Sequence, residues 1–158
     1  MIVSFDLDET LFVNPAAVSI EEAPPFPRSV LYPDRLRKGA PEFLRWMHES
    51  GIQVWIYTTS NRSERYIRHY FRFYGVQIDQ VVNAARHEKE VQRNRKDPLP
   101  SKYPAYYHID LHVDDEMNVY QNGVSHGFRV FLLHDEDPQW TSKLRQEIER
   151  IRRIKEQQ

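Results

Sequence analysis

Two apolar runs that each end in acidic residues set the strongest constraint on this chain. The first, "MIVSFDLDET", has Met1, Ile2, Val3, Phe5 and Leu7 apolar and Asp6, Asp8 and Glu9 acidic. The second, "YYHIDLHVDD", closes on Asp114 and Asp115. Both are short and rich in β-forming residues, which predicts strands. Carboxylates gathered at the end of a buried strand repel one another, and taking them out of water is costly unless a cation compensates. A fold that buries these strands has to bring positive charge to their ends.

The rest of the chain alternates strand with helix. "GAPEFLRWMHES" has Phe43, Leu44, Trp46 and Met47 on one helical face, with Pro41 in a first turn and Gly51 as a stop. "IQVWIYTTS" is a second strand, and "NRSERYIRHYFRFYG" a second helix with Tyr66, Ile67, Tyr70, Phe71 and Tyr74 at helical spacing. "IDQVVNA" is a short third strand, "YYHIDLHVDD" the fourth and "RVFLLH" the fifth. Residues 137–156 form an amphipathic C-terminal helix with Trp140, Leu144, Ile148 and Ile151 on one side. Residues 14–34 are different. Half of the ten prolines fall there, which predicts an irregular, flap-like insertion over the end of the first strand. Residues 86–104 are charged and then broken by proline.

This order predicts an α/β fold: a three-layer α/β/α sandwich on a mainly parallel, Rossmann-like five-stranded sheet, without a large cap domain. A length of 158 residues fits a single domain over 1–158. Cysteine is absent, which excludes disulfides, thiolate metal sites and a cysteine nucleophile. A net charge of -1 gives no overall pull toward nucleic acid or an anionic membrane. No apolar run approaches the ~20 residues of a membrane span and no leader pattern is visible, so the expectation is a cytoplasmic protein with no membrane partner.

In an open parallel sheet, functional groups collect beyond the carboxyl ends of the strands. The sequence places Asp6, Asp8 and Thr10 there from the first strand, and Thr58, Thr59 and Ser60 from the second. Lys102 stands before the fourth strand, and Asp114 and Asp115 end it. An all-oxygen donor set favours a hard cation, Mg²⁺, held among Asp6, Asp8, Asp114 and Asp115. Lys102 and the Thr58 hydroxyl suit a phosphate. A carboxylate nucleophile, a second carboxyl to move protons and a divalent ion are the equipment of phosphoryl transfer.

These motifs resemble those of the haloacid dehalogenase (HAD) superfamily. "FDLDET" is similar to its first motif, D-x-D-x-T after a strand. "VWIYTTS" resembles the second motif, a strand ending in Ser or Thr, and "HIDLHVDD" the fourth, a strand ending in acids. Lys102 matches the third-motif lysine best, with Lys89 and Lys96 as competitors.

The resemblance implies a small capless phosphatase forming an aspartyl phosphate on Asp6, with Asp8 as general acid/base. Thr10 would brace the turn, and Thr10, Thr58, Thr59 and Lys102 would serve the phosphate. Mg²⁺ would take Asp6, the backbone carbonyl of Asp8 and Asp114, with Asp115 close by. The substrate would be phosphorylated and of unspecified class, with protein or nucleic acid open, and the oligomeric state is open. Alternatives are a phosphotransferase, a polynucleotide or protein phosphatase of the same fold, or a catalytically silent phosphate-binding regulatory domain. Response-regulator receivers use similar groups, but in a different order along the chain.

Other features receive plainer readings. Ser60 or Asn61 suits the N-cap of the second helix. His108 and His112 are assigned packing or surface roles, and His134 is a minor candidate for the site. Arg86, Lys89, Arg93, Arg95 and Lys96 form a solvated face, and the aromatic helix is a core face before it is a stacking platform for bases.

Overall fold

The sheet grows outward from the N-terminal strand. A computed structural model describes residues 1–93, 95–135 and 137–157. Five strands, β1 (Ile2–Phe5), β2 (Gln53–Tyr57), β3 (Gln80–Val82), β4 (Leu111–Asp114) and β5 (Val130–Leu132), lie in the order β3-β2-β1-β4-β5. All their pairings are parallel. Phe5 is in register with Ile56 on one side and Val113 on the other. Asp6, Thr58 and Asp114 therefore leave the sheet at the same edge, around its middle.

The helices are α1 (Arg28–Leu31), α2 (Ala40–Glu49), α3 (Glu64–Phe73), α4 (Ala84–His87), α5 (Met117–His126) and α6 (Trp140–Glu156). Strand side chains alternate between faces. Val3, Phe5, Val54, Ile56, Leu111 and Val113 share one core with residues of α2, α3 and α6 such as Leu44, Phe71 and Leu144. Burial of each such side chain contributes roughly 1.5–3 kcal/mol. The opposite parity is more polar. Trp55, Tyr57 and Val82 pack with Ile109 and Tyr107, and Ser4, His112 and Asp114 are buried with the same parity. The segment from α4 to β4 covers this face. The result is the expected α/β/α sandwich on a five-stranded parallel sheet. No helix among the described residues is long and apolar enough to cross a membrane.

Several boundaries differ from expectation. The helix after β2 is capped by Ser63, whose Oγ accepts the Tyr66 N–H at 3.1 Å. Ser60 and Asn61 are not its cap, because Thr58 Oγ1 accepts the Ser60 N–H and Ser60 Oγ accepts the Arg62 N–H in a tight loop before the helix. Strand β4 begins only at Leu111: Pro104–Tyr107 form a 3₁₀ turn and His108 adopts a left-handed φ of 55°. The charged stretch after β3 is helical at first, α4 continuing as a π-turn over Glu88–Gln92. The C-terminal helix starts at Trp140, after a turn in which Asp137 Oδ1 accepts the Gln139 N–H.

The proline-rich insertion is tied down. Antiparallel bridges pair Phe12 with Leu36 and Ile20 with Arg37. Tyr70 of α3 and Tyr74 just after it donate their hydroxyls to the carbonyls of Asp34 and Glu22, at 3.0 and 2.9 Å.

Tyr57 joins the polar face to its cover. Its hydroxyl oxygen accepts the Tyr103 N–H at 2.8 Å and lies 2.6 Å from His87 Nδ1. Replacing Tyr57 by Phe leaves buried polar groups unpaired next to Lys102. Urea unfolding should show a loss of about 1–3 kcal/mol, and an unchanged midpoint would mean that this contact does not hold the cover.

Candidate active site at the strand ends

The site is built around two neighbouring strand ends. Asp6 follows β1 and its N–H donates to the Val113 carbonyl at 2.9 Å; Asp114 is the last residue of β4. Asp6 is 4 % exposed and Asp114 is fully buried. Lys102, 2 % exposed, reaches both: its Nζ lies 2.9 Å from Asp6 Oδ2 and 2.5 Å from Asp114 Oδ2. The structure thus brings Lys102 to the acids, while Lys89 and Lys96 are exposed. Its position follows from the Tyr103 N–H, which the Tyr57 hydroxyl pins next door.

Asp114 has a full set of partners. His112, two residues earlier on the same strand face, places Nε2 2.9 Å from Asp114 Oδ2, and its Nδ1 lies 2.7 Å from Ser4 Oγ. Asp114 Oδ1 accepts the Glu116 N–H at 2.9 Å. Burial alone would raise the pKa of Asp114, but the hydrogen bond from His112 and the charge of Lys102 outweigh it and bring the pKa to about 2. His112 is therefore more than packing: it orients and ionises an acid of the cluster.

Asp6 is less well served. Among the described residues its Oδ1 is buried with no hydrogen-bond partner. Burial raises its pKa; Asp114 adds to the rise, and Lys102 only partly offsets it. Asp115 is also raised, by burial first and then by Asp114. Lys102 is held protonated above its ordinary range because the two carboxylates outweigh burial. Among the described residues one ammonium pairs with two of the three acids, so the cluster is short of positive charge.

A divalent cation fits that deficit. One carboxylate oxygen from each of Asp6, Asp114 and Asp115 lies within 4.8 Å of the others. The donors are all oxygens, the chemistry that Mg²⁺ prefers, and the unpartnered Asp6 Oδ1 is an open ligand position.

The other predicted residues take distinct places. Thr10 is fully buried and donates its hydroxyl to Asp115 Oδ1 at 3.0 Å. That hydroxyl holds an acid, as the bracing role expects. Thr58 is buried at the end of β2, and Thr59 is exposed beside it. His134 is exposed. The Asp8 carboxylate lies outside the acid cluster. It is 53 % exposed and sits against Arg62 of the loop after β2. The chain turns sharply between Asp6 and Asp8, so two residues that would share a face in an extended strand reach different surroundings.

The turn has its own support. The Leu7 carbonyl accepts the N–H groups of Thr10, Leu11 and Phe12. Glu9 takes a left-handed φ of 58°, a conformation that disfavours a side chain. Arg37, 2 % exposed, holds it by donating Nε to the Thr10 carbonyl at 2.7 Å and Nη2 to the Glu9 carbonyl at 3.1 Å. Sequence reasoning missed Arg37, Arg62, Ser4 and the role of His112. His112 alone carried a signal, sharing strand parity with Asp114.

A charge deficit predicts its own relief. A carboxyl whose folded pKa lies above its unfolded value binds protons more tightly when folded, so ionising it at neutral pH costs stability. Asp6→Asn should therefore melt no lower than the parent in chelator at pH 7. Added Mg²⁺ should raise the melting temperature of the parent and much less that of Asp6→Asn. Equal Mg²⁺ responses in the two proteins would remove Asp6 from the cation site.

No protein-family model matches the chain, and no curated protein matches it. Among solved structures it is similar to D,D-heptose 1.7-bisphosphate phosphatase from B. bronchiseptica, crystallised with magnesium and phosphate. The TM-score is 0.50 at 16 % identity, over 83 % of this chain and 79 % of that one. At that identity the likeness is one of fold: both chains share the α/β architecture described above.

Proposed function

We propose that the chain is a Mg²⁺-dependent phosphomonoester hydrolase that works through an aspartyl phosphate on Asp6. The observation that carries this reading is the asymmetry of Asp6: Oδ2 faces Lys102, while Oδ1 is buried without a partner beside two further acids. One oxygen is available to a cation and the other to phosphorus. Asp6, Asp114 and Asp115 would hold the ion, with the Asp8 backbone carbonyl as a further ligand from the motif resemblance. Bound there, Mg²⁺ would neutralise the acids and the incoming phosphate.

The chain's own groups divide the remaining work. A carboxylate oxygen of Asp6 forms a bond to phosphorus as the bond to the leaving oxygen breaks, and the Asp8 carboxyl gives that oxygen a proton. Asp8, now ionised, takes a proton from water as the water oxygen attacks phosphorus. The bond to Asp6 breaks and inorganic phosphate leaves. Lys102 and the Thr58 hydroxyl hold phosphate oxygens, with Thr59 at the rim. The short α1 and the tethered proline-rich segment leave the site without a large cap, which suits an exposed phosphomonoester on a small molecule, a protein or a nucleic-acid end.

A panel of phosphomonoesters assayed with and without Mg²⁺ tests the proposal. Turnover should need Mg²⁺ and fall at least ~10³-fold in Asp6→Asn. Asp8→Asn should lose ~10²–10⁴-fold and accumulate phosphoenzyme. Full activity in Asp6→Asn would refute the nucleophile, and a phosphoenzyme stable for many minutes in the parent would favour a regulatory phosphate acceptor.

A further inference from the structure

The general acid/base assigned above is poorly held by its own surroundings. Asp8 is 53 % exposed, and among the described residues Arg62 is the only side chain bonded to its carboxylate. A proton donor has to stay within hydrogen-bond reach of the leaving oxygen, and small misplacements are expensive in rate. Arg62 supplies what Asp8 lacks. Its Nη1 lies 3.0 Å from Asp8 Oδ2 and its Nη2 2.9 Å from Asp8 Oδ1, a two-pronged grip on both oxygens.

Arg62 is itself fixed from three sides. Nε and Nη2 donate to Asp34 Oδ2 and Oδ1 at 3.2 and 2.8 Å, Nη1 donates to Ser60 Oγ at 2.9 Å, and the guanidinium lies 5.3 Å from the centre of the Phe12 ring. Asp34 comes from the proline-rich insertion. Tyr66 donates its hydroxyl to Asp34 Oδ2 at 2.7 Å, and Tyr70 donates to the Asp34 carbonyl. A guanidinium has five N–H donors. Here Nε donates to Asp34, Nη1 to Asp8 and Ser60, and Nη2 to Asp34, with Asp8 Oδ1 lying 2.9 Å from the same Nη2. An isolated surface ion pair would be worth little, but this side chain is 26 % exposed and joins the turn after β1, the insertion and the loop after β2.

We infer that Arg62 is a positioning residue for Asp8, and that the insertion serves the site as the brace presenting Asp34 to Arg62. The inference rests on the proposed acid/base role of Asp8. It reassigns the insertion from a flap over the site to a fixed support.

Leaving-group dependence separates positioning from binding. An alkyl oxygen needs a proton to depart, whereas a nitrophenolate leaves readily without one. The experiment compares β-glycerophosphate with para-nitrophenyl phosphate, with Mg²⁺, for the parent, Arg62→Ala, Arg62→Lys, Asp34→Asn, Asp8→Asn and the Asp8→Asn/Arg62→Ala pair. Arg62→Ala should lower kcat on β-glycerophosphate about 10–100-fold and on para-nitrophenyl phosphate much less, with KM for both nearly unchanged. Arg62→Lys, a single point donor, should recover only part of the loss. Asp34→Asn, outside the chemistry, should show the same pattern more weakly. The double variant should be no slower than Asp8→Asn alone.

Equal losses on both esters, a rise in KM, or losses that multiply in the double variant would overturn the inference while leaving the phosphatase reading intact. Should Arg62→Ala fail to fold, Arg62→Lys and Asp34→Asn decide by the same criteria. A parent protein inactive on both esters would overturn the function and the inference together.

Discussion

The structure depends on a charge imbalance at the centre of its sheet. Two adjacent strands, β1 and β4, deliver Asp6 and Asp114 to the same buried place, Asp115 follows, and among the described residues Lys102 is the ammonium paired with the first two. A parallel sheet with β1 in its middle imposes this meeting, because the strand on each side of β1 ends in register with it. A cluster so arranged is stable only to the extent that something positive completes it. The neutral-pH cost of Asp6 and the fit to a divalent ion are two aspects of the same imbalance.

Much of the remaining polar structure places the members of that cluster. Tyr57, His87 and Tyr103 fasten the α4–β4 segment across the second face of the sheet and thereby aim Lys102. Ser4 and His112 hold Asp114 from behind. Thr10 holds Asp115, and Arg37 holds the strained turn that separates Asp6 from Asp8. Arg62 and Asp34 do for Asp8 what these groups do for the other acids. A carboxylate that has to work from one position needs such supporting contacts.

The features legible in sequence were those with a short-range signature. Apolar β-formers running into acids marked β1 and β4, helical spacing marked α2, α3 and α6, and strand order implied a parallel sheet. Asp6, Thr58 and Asp114 could be located because each sits at a strand end or next to one, whereas Lys102, well before β4, was read from the motif resemblance. Helix α5 went unread because only Val119 and Gly123 of its ten residues are buried, too few to show a period. Gly123 is there for a close approach: a Cβ would sit 2.7 Å from the Phe128 carbonyl oxygen. The roles of Arg37, Arg62 and Asp34 come from contacts between segments 27 or more residues apart. No local pattern announces such contacts, and in a chain rich in arginine these residues look like any other surface charge.

On the proposed function, the acids ending β1 and β4 share one divalent ion, and Asp6 stays free to meet phosphorus. A crystal structure of the protein soaked with Mn²⁺ and beryllofluoride, phased to show the metal by its anomalous signal, tests it most directly. The expected result is a single metal peak touching Asp6 and Asp114, with the beryllofluoride on the other Asp6 oxygen and in reach of Lys102. A peak away from these carboxylates, or beryllofluoride on a different residue, would contradict it.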